Sequence, residues 1–66
     1  MQVNQSVQIA PPPILRGIIT EKRYLPEQDG LRDDPFIYQV EFHDGKSLVH
    51  RWLYAEELEE INDDAN

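Results

Sequence analysis

The side chains in this 66-residue chain with the means to do chemistry are His43 and His50, the adjacent pair Asp33 and Asp34, and a dense run of glutamates from Glu56 to Glu60. Two histidines invite a metal reading. A zinc site needs a third nitrogen or sulfur ligand, the chain has no cysteine, and the strand pairing argued below puts the two rings on opposite faces. No metal is expected. Neighbouring carboxylates can share a proton and serve as acid and base, but Asp33 and Asp34 stand directly before Pro35, which is the chemistry of a solvated turn. There is no Ser-His-Asp arrangement, no phosphate-cradling glycine loop and no cofactor fingerprint. A domain this small rarely encloses a dry pocket, so the reading is of a non-enzyme with no cofactor and no small-molecule substrate.

The charges are unevenly placed. The net charge is −7. All six lysines and arginines lie between Ile14 and Ala55, where Glu21, Glu27, Asp29, Asp33, Asp34, Glu41 and Asp44 nearly balance them. Beyond Ala55 stand Glu56, Glu57, Glu59, Glu60, Asp63 and Asp64 with no base among them, and nothing before Ile14 is charged. Such an acidic end repels phosphate and attracts a basic protein surface. Arg16, Lys22, Arg23, Arg32 and Arg51 could line a face for nucleic acid, but Glu21 interrupts them; ionic pairing with the acidic end is the expected use. The expected partner is therefore another protein with a basic surface, with nucleic acid disfavoured.

Six large rings, Tyr24, Phe36, Tyr38, Phe42, Trp52 and Tyr54, are more than so small a core can hide. Two readings of Trp52 stand side by side. As the plug of the core, it would cost about 3–5 kcal/mol on truncation to alanine. At the surface, Trp52 and Tyr54 would form a shallow aromatic groove rimmed by Glu56, Glu57, Glu59 and Glu60, and these six residues are the candidate partner-binding site.

The elements that must position these residues follow from periodicity. Phe36, Tyr38, Val40 and Phe42 alternate with Gln39, Glu41 and His43, a period of two that suits a half-buried strand. After an Asp44-Gly45 turn the second arm carries Leu48, His50, Trp52 and Tyr54 on one parity, and Val49, Arg51 and Leu53 on the other. A two-residue Asp44-Gly45 loop pairs Tyr38 with Arg51. A three-residue loop, His43 to Gly45, pairs Val40 with Leu48, Tyr38 with His50 and Phe36 with Trp52, gathering the aromatics on one face. A one-residue slip exchanges the faces, and the three-residue loop is the expected register.

Ile14 to Tyr24 reads as a first strand with Gly17 at a bend or bulge, and Leu25 to Asp34 as a long loop. Ala55, Leu58 and Ile61 suit a turn of helix or 3₁₀; a short strand at 58–61 suits them equally. Residues 1–13 read as a flexible arm ending in a polyproline linker, 14–61 as the domain and 62–66 as an acidic tail. The expected fold is all-β, a small SH3-like barrel with a flexible amino-terminal arm and a short carboxyl-terminal turn of helix or 3₁₀. Its expected core is Leu15, Ile19, Phe36, Tyr38, Val40, Phe42, Leu48, Trp52 and Leu58. With no long apolar run and no leader pattern, a soluble cytoplasmic location is expected.

Leu31, Arg32, Pro35, Phe36, Asp44, Gly45, Val49, His50, Trp52, Leu53 and Leu58 follow a pattern that resembles the carboxyl half of the YccV-like hemimethylated-DNA-binding family. That resemblance covers under half of the chain. It implies a small barrel that binds duplex DNA directly, or one that serves a protease as adaptor. The Asp-Pro-Phe-Ile start at Asp34, the Asp-Gly turn and the acidic ending are also similar to acidic SH3-like antirepressors, and this implies mimicry of DNA toward a repressor. Residues 16–30 depart from the YccV-like pattern, which has a longer glycine-valine strand and an Asp-Pro step there. The reading that follows is a non-catalytic acidic interaction module, adaptor or inhibitor, with direct DNA binding as the alternative.

Overall fold

The computed structural model describes residues 1–9 and 15–61. They form one antiparallel sheet of five strands: β1 Ser6–Ile9, β2 Leu15–Tyr24, β3 Phe36–Asp44, β4 Ser47–Tyr54 and β5 Leu58–Glu60, in the spatial order β4-β3-β2-β1-β5. Single 3₁₀ turns occupy Pro26–Gln28 and Ala55–Glu57. The all-β expectation holds. The sheet is not closed into a barrel: β4 pairs with β3 and β5 with β1, and among the described residues no ladder joins β4 to β5. The Ala55–Glu57 turn spans that gap, and β5, at three residues, is too short to zip it. The expected turn and the expected short strand thus both exist, one after the other.

The β3–β4 hairpin has a register that differs from the expectation. Asp44 pairs with Ser47, Phe42 with Val49, Val40 with Arg51 and Tyr38 with Leu53. The loop is two residues, Gly45-Lys46. Gly45 has φ +65° and Lys46 is not in the left-handed region, the signature of a type II′ turn, which wants glycine first. Tyr38, Val40 and Phe42 therefore share their face with Val49 and Leu53, while Leu48, His50, Trp52 and Tyr54 lie on the other face.

The contribution of β4 to the core changes accordingly, while Ile19, Tyr38, Val40, Phe42 and Leu58 are buried as expected. Val7, Ile19, Tyr38, Val40, Phe42, Leu53 and Leu58 are buried, with Ile9, Leu15, Phe36 and Ala55 packed against them. Leu48 and Trp52, expected in the core, are 50% and 36% exposed. Leu53 takes the place expected for Trp52 because it lies opposite Tyr38. Val7 is the other residue missed. The segment expected as a loose arm supplies β1, which lies between β2 and β5, and Val7 is fully covered there. The polyproline segment Pro11 to Pro13 lies outside the described residues, as does the tail with Asp63 and Asp64.

The expected bulge also moves. It falls between Ile19 and Glu21 rather than at Gly17, and the Thr20 hydroxyl lies 3.2 Å from both the Gln39 carbonyl and the Gln39 side-chain oxygen. Gly17 is needed for a different reason. A β-carbon there would overlap the Glu41 carbonyl oxygen and come within 2.8 Å of Phe42 and 2.9 Å of Val40. Backbone cannot give way as a side-chain tip can, so Gly17→Ala should destabilise the fold by about 1–3 kcal/mol in urea melts followed by circular dichroism. In the same assay Leu53→Ala should cost about 2–5 kcal/mol, and Trp52→Ala only about 1 kcal/mol; the reverse order would restore Trp52 to the core.

Candidate protein-interaction site

The candidate site assembles at the corner where β4 ends, the Ala55–Glu57 turn crosses and the long loop 25–35 folds back. Arg32, half-buried in that loop, is the centre of the corner. Its guanidinium lies 3.7 Å over the Tyr54 ring, its Nε donates to Gln28 Oε1 at 2.9 Å, and its terminal nitrogen pairs with the Glu56 carboxylate. A flat cation against a ring face and a carboxylate is an arrangement arginine provides and lysine does not. Glu57 turns back to accept the Tyr54 backbone N–H at 2.9 Å, satisfying a donor that β3 cannot reach. Glu59 accepts from the Gln8 side-chain nitrogen at 2.8 Å across the β1–β5 ladder. Glu60 lies exposed, and its carboxylate has no hydrogen bond or ion pair among the described residues.

Of the six sequence-predicted residues, Tyr54, Glu56 and Glu57 are drawn together, and Glu59 and Glu60 continue along β5. Trp52 belongs to a separate neighbourhood on the outer face, where Arg23 lies 5.0 Å over its ring and Arg23 also bonds Glu21 at 3.2 Å. Both rings of the expected aromatic groove thus already hold an arginine of their own chain. A groove of about 440 Å³ does open beside the corner, lined by Leu31, Arg32, Asp33, Asp34, Ala55 and Glu56. Leu31 at its lip is 77% exposed. Sequence reasoning missed this groove because loop 25–35 offers no periodicity to say where it folds.

Asp34 was expected to be a solvated turn residue. It is half-buried instead, accepting the Phe36 N–H at 3.0 Å, an Asx-type turn across Pro35, and the Tyr38 hydroxyl at 2.6 Å. Burial, and next the bond to Asp34, push the Tyr38 phenol well above its ordinary range. Tyr24 is raised too, first by its 2.8 Å bond to Asp29. The histidines depart from expectation as well: both occupy the outer face, His43 opposite Leu48 and His50 opposite Glu41, with His50 Nε2 3.8 Å from the Glu41 carboxylate. Among the described residues no cluster of three potential metal ligands forms, and no helix is long and apolar enough to cross a membrane.

Comparison with protein-family models, curated proteins and solved structures finds no match. The class that the fold and site define is a small all-β protein built on a five-stranded antiparallel sheet with an acidic corner.

The raised Tyr38 phenol has a pH signature. An acid held protonated by the folded state stabilises it fully below the unfolded value of about 10, and that stability is lost as pH rises above it. Tyr38→Phe should cost about 1–2 kcal/mol at neutral pH and should flatten the decline in stability above about pH 10. Urea midpoints for both proteins across that range test this, and parallel alkaline slopes would refute it.

Proposed function

We propose that this chain is a non-catalytic acidic protein-interaction module, an adaptor or inhibitor, whose partner presents a basic surface. The strand order β4-β3-β2-β1-β5, with a 3₁₀ turn between the last two strands, is the order of SH3-like folds and supports that finer reading of the sheet. The observation that carries the function is the corner itself. Glu56, Glu57, Glu59 and Glu60 are all exposed within one short stretch, next to a groove edged by Asp33, Asp34 and the projecting Leu31. A basic partner meets carboxylates for steering and an apolar tip for anchorage.

Direct DNA binding, the alternative that the YccV-like resemblance raises, draws less support. Its contacts must come from lysines and arginines aimed at phosphates. Arg32 is committed to Glu56 and Tyr54, Arg23 to Glu21 and Trp52, and Lys22 lies 4.7 Å over the Phe36 ring. Arg16, Lys46 and Arg51 are exposed but scattered over different strands and a turn.

The structure also says which carboxylates to reverse. Glu57 holds the turn and Glu56 holds Arg32, so their loss confuses binding with folding, whereas Glu59 and Glu60 are less committed. Cross-linked capture should recover a basic protein with the wild type, and the double variant Glu59→Lys, Glu60→Lys should bind it at least about tenfold more weakly, mainly through slower association. Titration with duplex DNA, hemimethylated or not, should show no binding at physiological salt. Micromolar or tighter duplex binding by the wild type would overturn the proposal in favour of the DNA-binding alternative.

A further inference from the structure

The two edges of the sheet are built differently. β5 has three residues, two of them glutamates, and a short charged edge discourages strand addition. β4 runs eight residues, Ser47–Tyr54, with no proline, no lysine and no acid inside it, and its ladder with β3 has no bulge. Among the described residues nothing pairs with its outer side. The one usual device against edge pairing is Arg51, a single charge on the core-side face opposite Val40. We propose that β4 is a self-association edge, and that two copies of this chain join there as an antiparallel, two-fold β4–β4 pair centred on His50.

The register follows from the hairpin. Asp44 and Ser47 flank a two-residue turn and so form a hydrogen-bonded pair, and such pairs recur at every second position. Val49, Arg51 and Leu53 thus point their backbone groups at β3, while Leu48, His50, Trp52 and Tyr54 point theirs outward. The bond from the Tyr54 N–H to Glu57 rather than to β3 fits this assignment. Tyr54 is therefore already used, leaving Leu48, His50 and Trp52 as the free edge. A two-fold centred on His50 pairs His50 with His50 of the second copy and Trp52 with Leu48 of the second copy, twice over. All three free residues of each copy exchange both backbone bonds.

That register also covers what the monomer leaves bare. Leu48 and Trp52, 50% and 36% exposed, flank His50 on the outer face, and in the pair each lies against the other. Centring on Arg51 instead would set two arginines face to face and require the engaged Tyr54. Charge agrees: the paired histidines are each flanked by Glu41 on β3, and the acidic β5 edges fall at the two ends of the joined strand order. The interface is narrower than a standard one of about 1,600 Å², so a weak dimer is expected. This inference stands apart from the acidic corner, since it uses the opposite edge.

Sedimentation equilibrium of the full chain from micromolar to millimolar concentration tests it. Expected is a concentration-dependent dimer, with a blue shift of Trp52 emission, the only tryptophan, along the same curve. Leu48→Lys, at an exposed position, should weaken dimerisation at least about tenfold while leaving the circular dichroism spectrum unchanged. His50→Pro removes an outward N–H without touching the β3 ladder and should abolish it. A monomer at every concentration would overturn the proposal. So would a dimer that both variants preserve, or assembly that grows beyond a dimer, which would mean a head-to-tail contact instead.

Discussion

The closure of the β3–β4 hairpin around Gly45 is the constraint on which the rest of this structure depends. With glycine first in a two-residue turn, Asp44 meets Ser47, and every later pair in the ladder is then determined. A shift by one residue would carry Leu48, His50, Trp52 and Tyr54 to the inner face and expel Val49 and Leu53. It would also alternate the backbone differently, turning different amides toward solvent. The turn therefore sets both what the core contains and what the open edge of β4 presents. Neither follows from hydrophobicity alone, since both parities of β4 carry large apolar residues.

A second fixed point ties the long loop to this hairpin. Tyr38, buried opposite Leu53, sends its hydroxyl to Asp34, and Asp34 also receives the Phe36 N–H. A buried phenol needs a partner, and Asp34 provides it from the last turn of the loop. Once Asp34 is placed, Arg32 two residues earlier falls where it meets the Tyr54 ring and Glu56. The candidate corner is thus an outgrowth of one buried hydroxyl. The core dictates the location of a surface feature.

The strand character of residues 36–44 was legible because strict alternation ran through Tyr38, Val40 and Phe42, and these are the most deeply buried side chains of β3. The partner strand was not legible in the same way. Asp44-Gly45-Lys46 admits several closures, and collecting the rings on one face favoured the wrong one. β1 escaped notice because Ser6–Ile9 is short and half polar; Val7 is buried by strands on both sides, a property of topology rather than of local composition. Gly17 was singled out correctly and explained wrongly. It is small because β3 passes close against it, not because the chain bends there. At the site, the acidic residues could be read directly, but their engagements with Arg32, Gln8 and the Tyr54 amide arise from distant contacts or local geometry that charge counting does not see.

Those engagements bear on how so small a domain can use its surface. Few residues are buried here, and a short chain leaves little stability to spare. The periphery must help hold the fold, and it does so with charged side chains: Arg32 with Glu56, Glu57 at the turn, Asp34 under Tyr38. An exposed carboxylate in such a protein is not the same as an available one. Glu56 has its charge largely answered by a guanidinium, while the Glu60 carboxylate lies exposed on the core-side face of β5, opposite Val7, without an ion pair among the described residues. The field that a basic partner would encounter is therefore weighted toward β5, although the sequence crowds four glutamates evenly around Leu58. Within one acidic run, Glu56, Glu57 and Glu59 are engaged by Arg32, the Tyr54 amide and Gln8, and the Glu60 carboxylate is left with no such contact among the described residues.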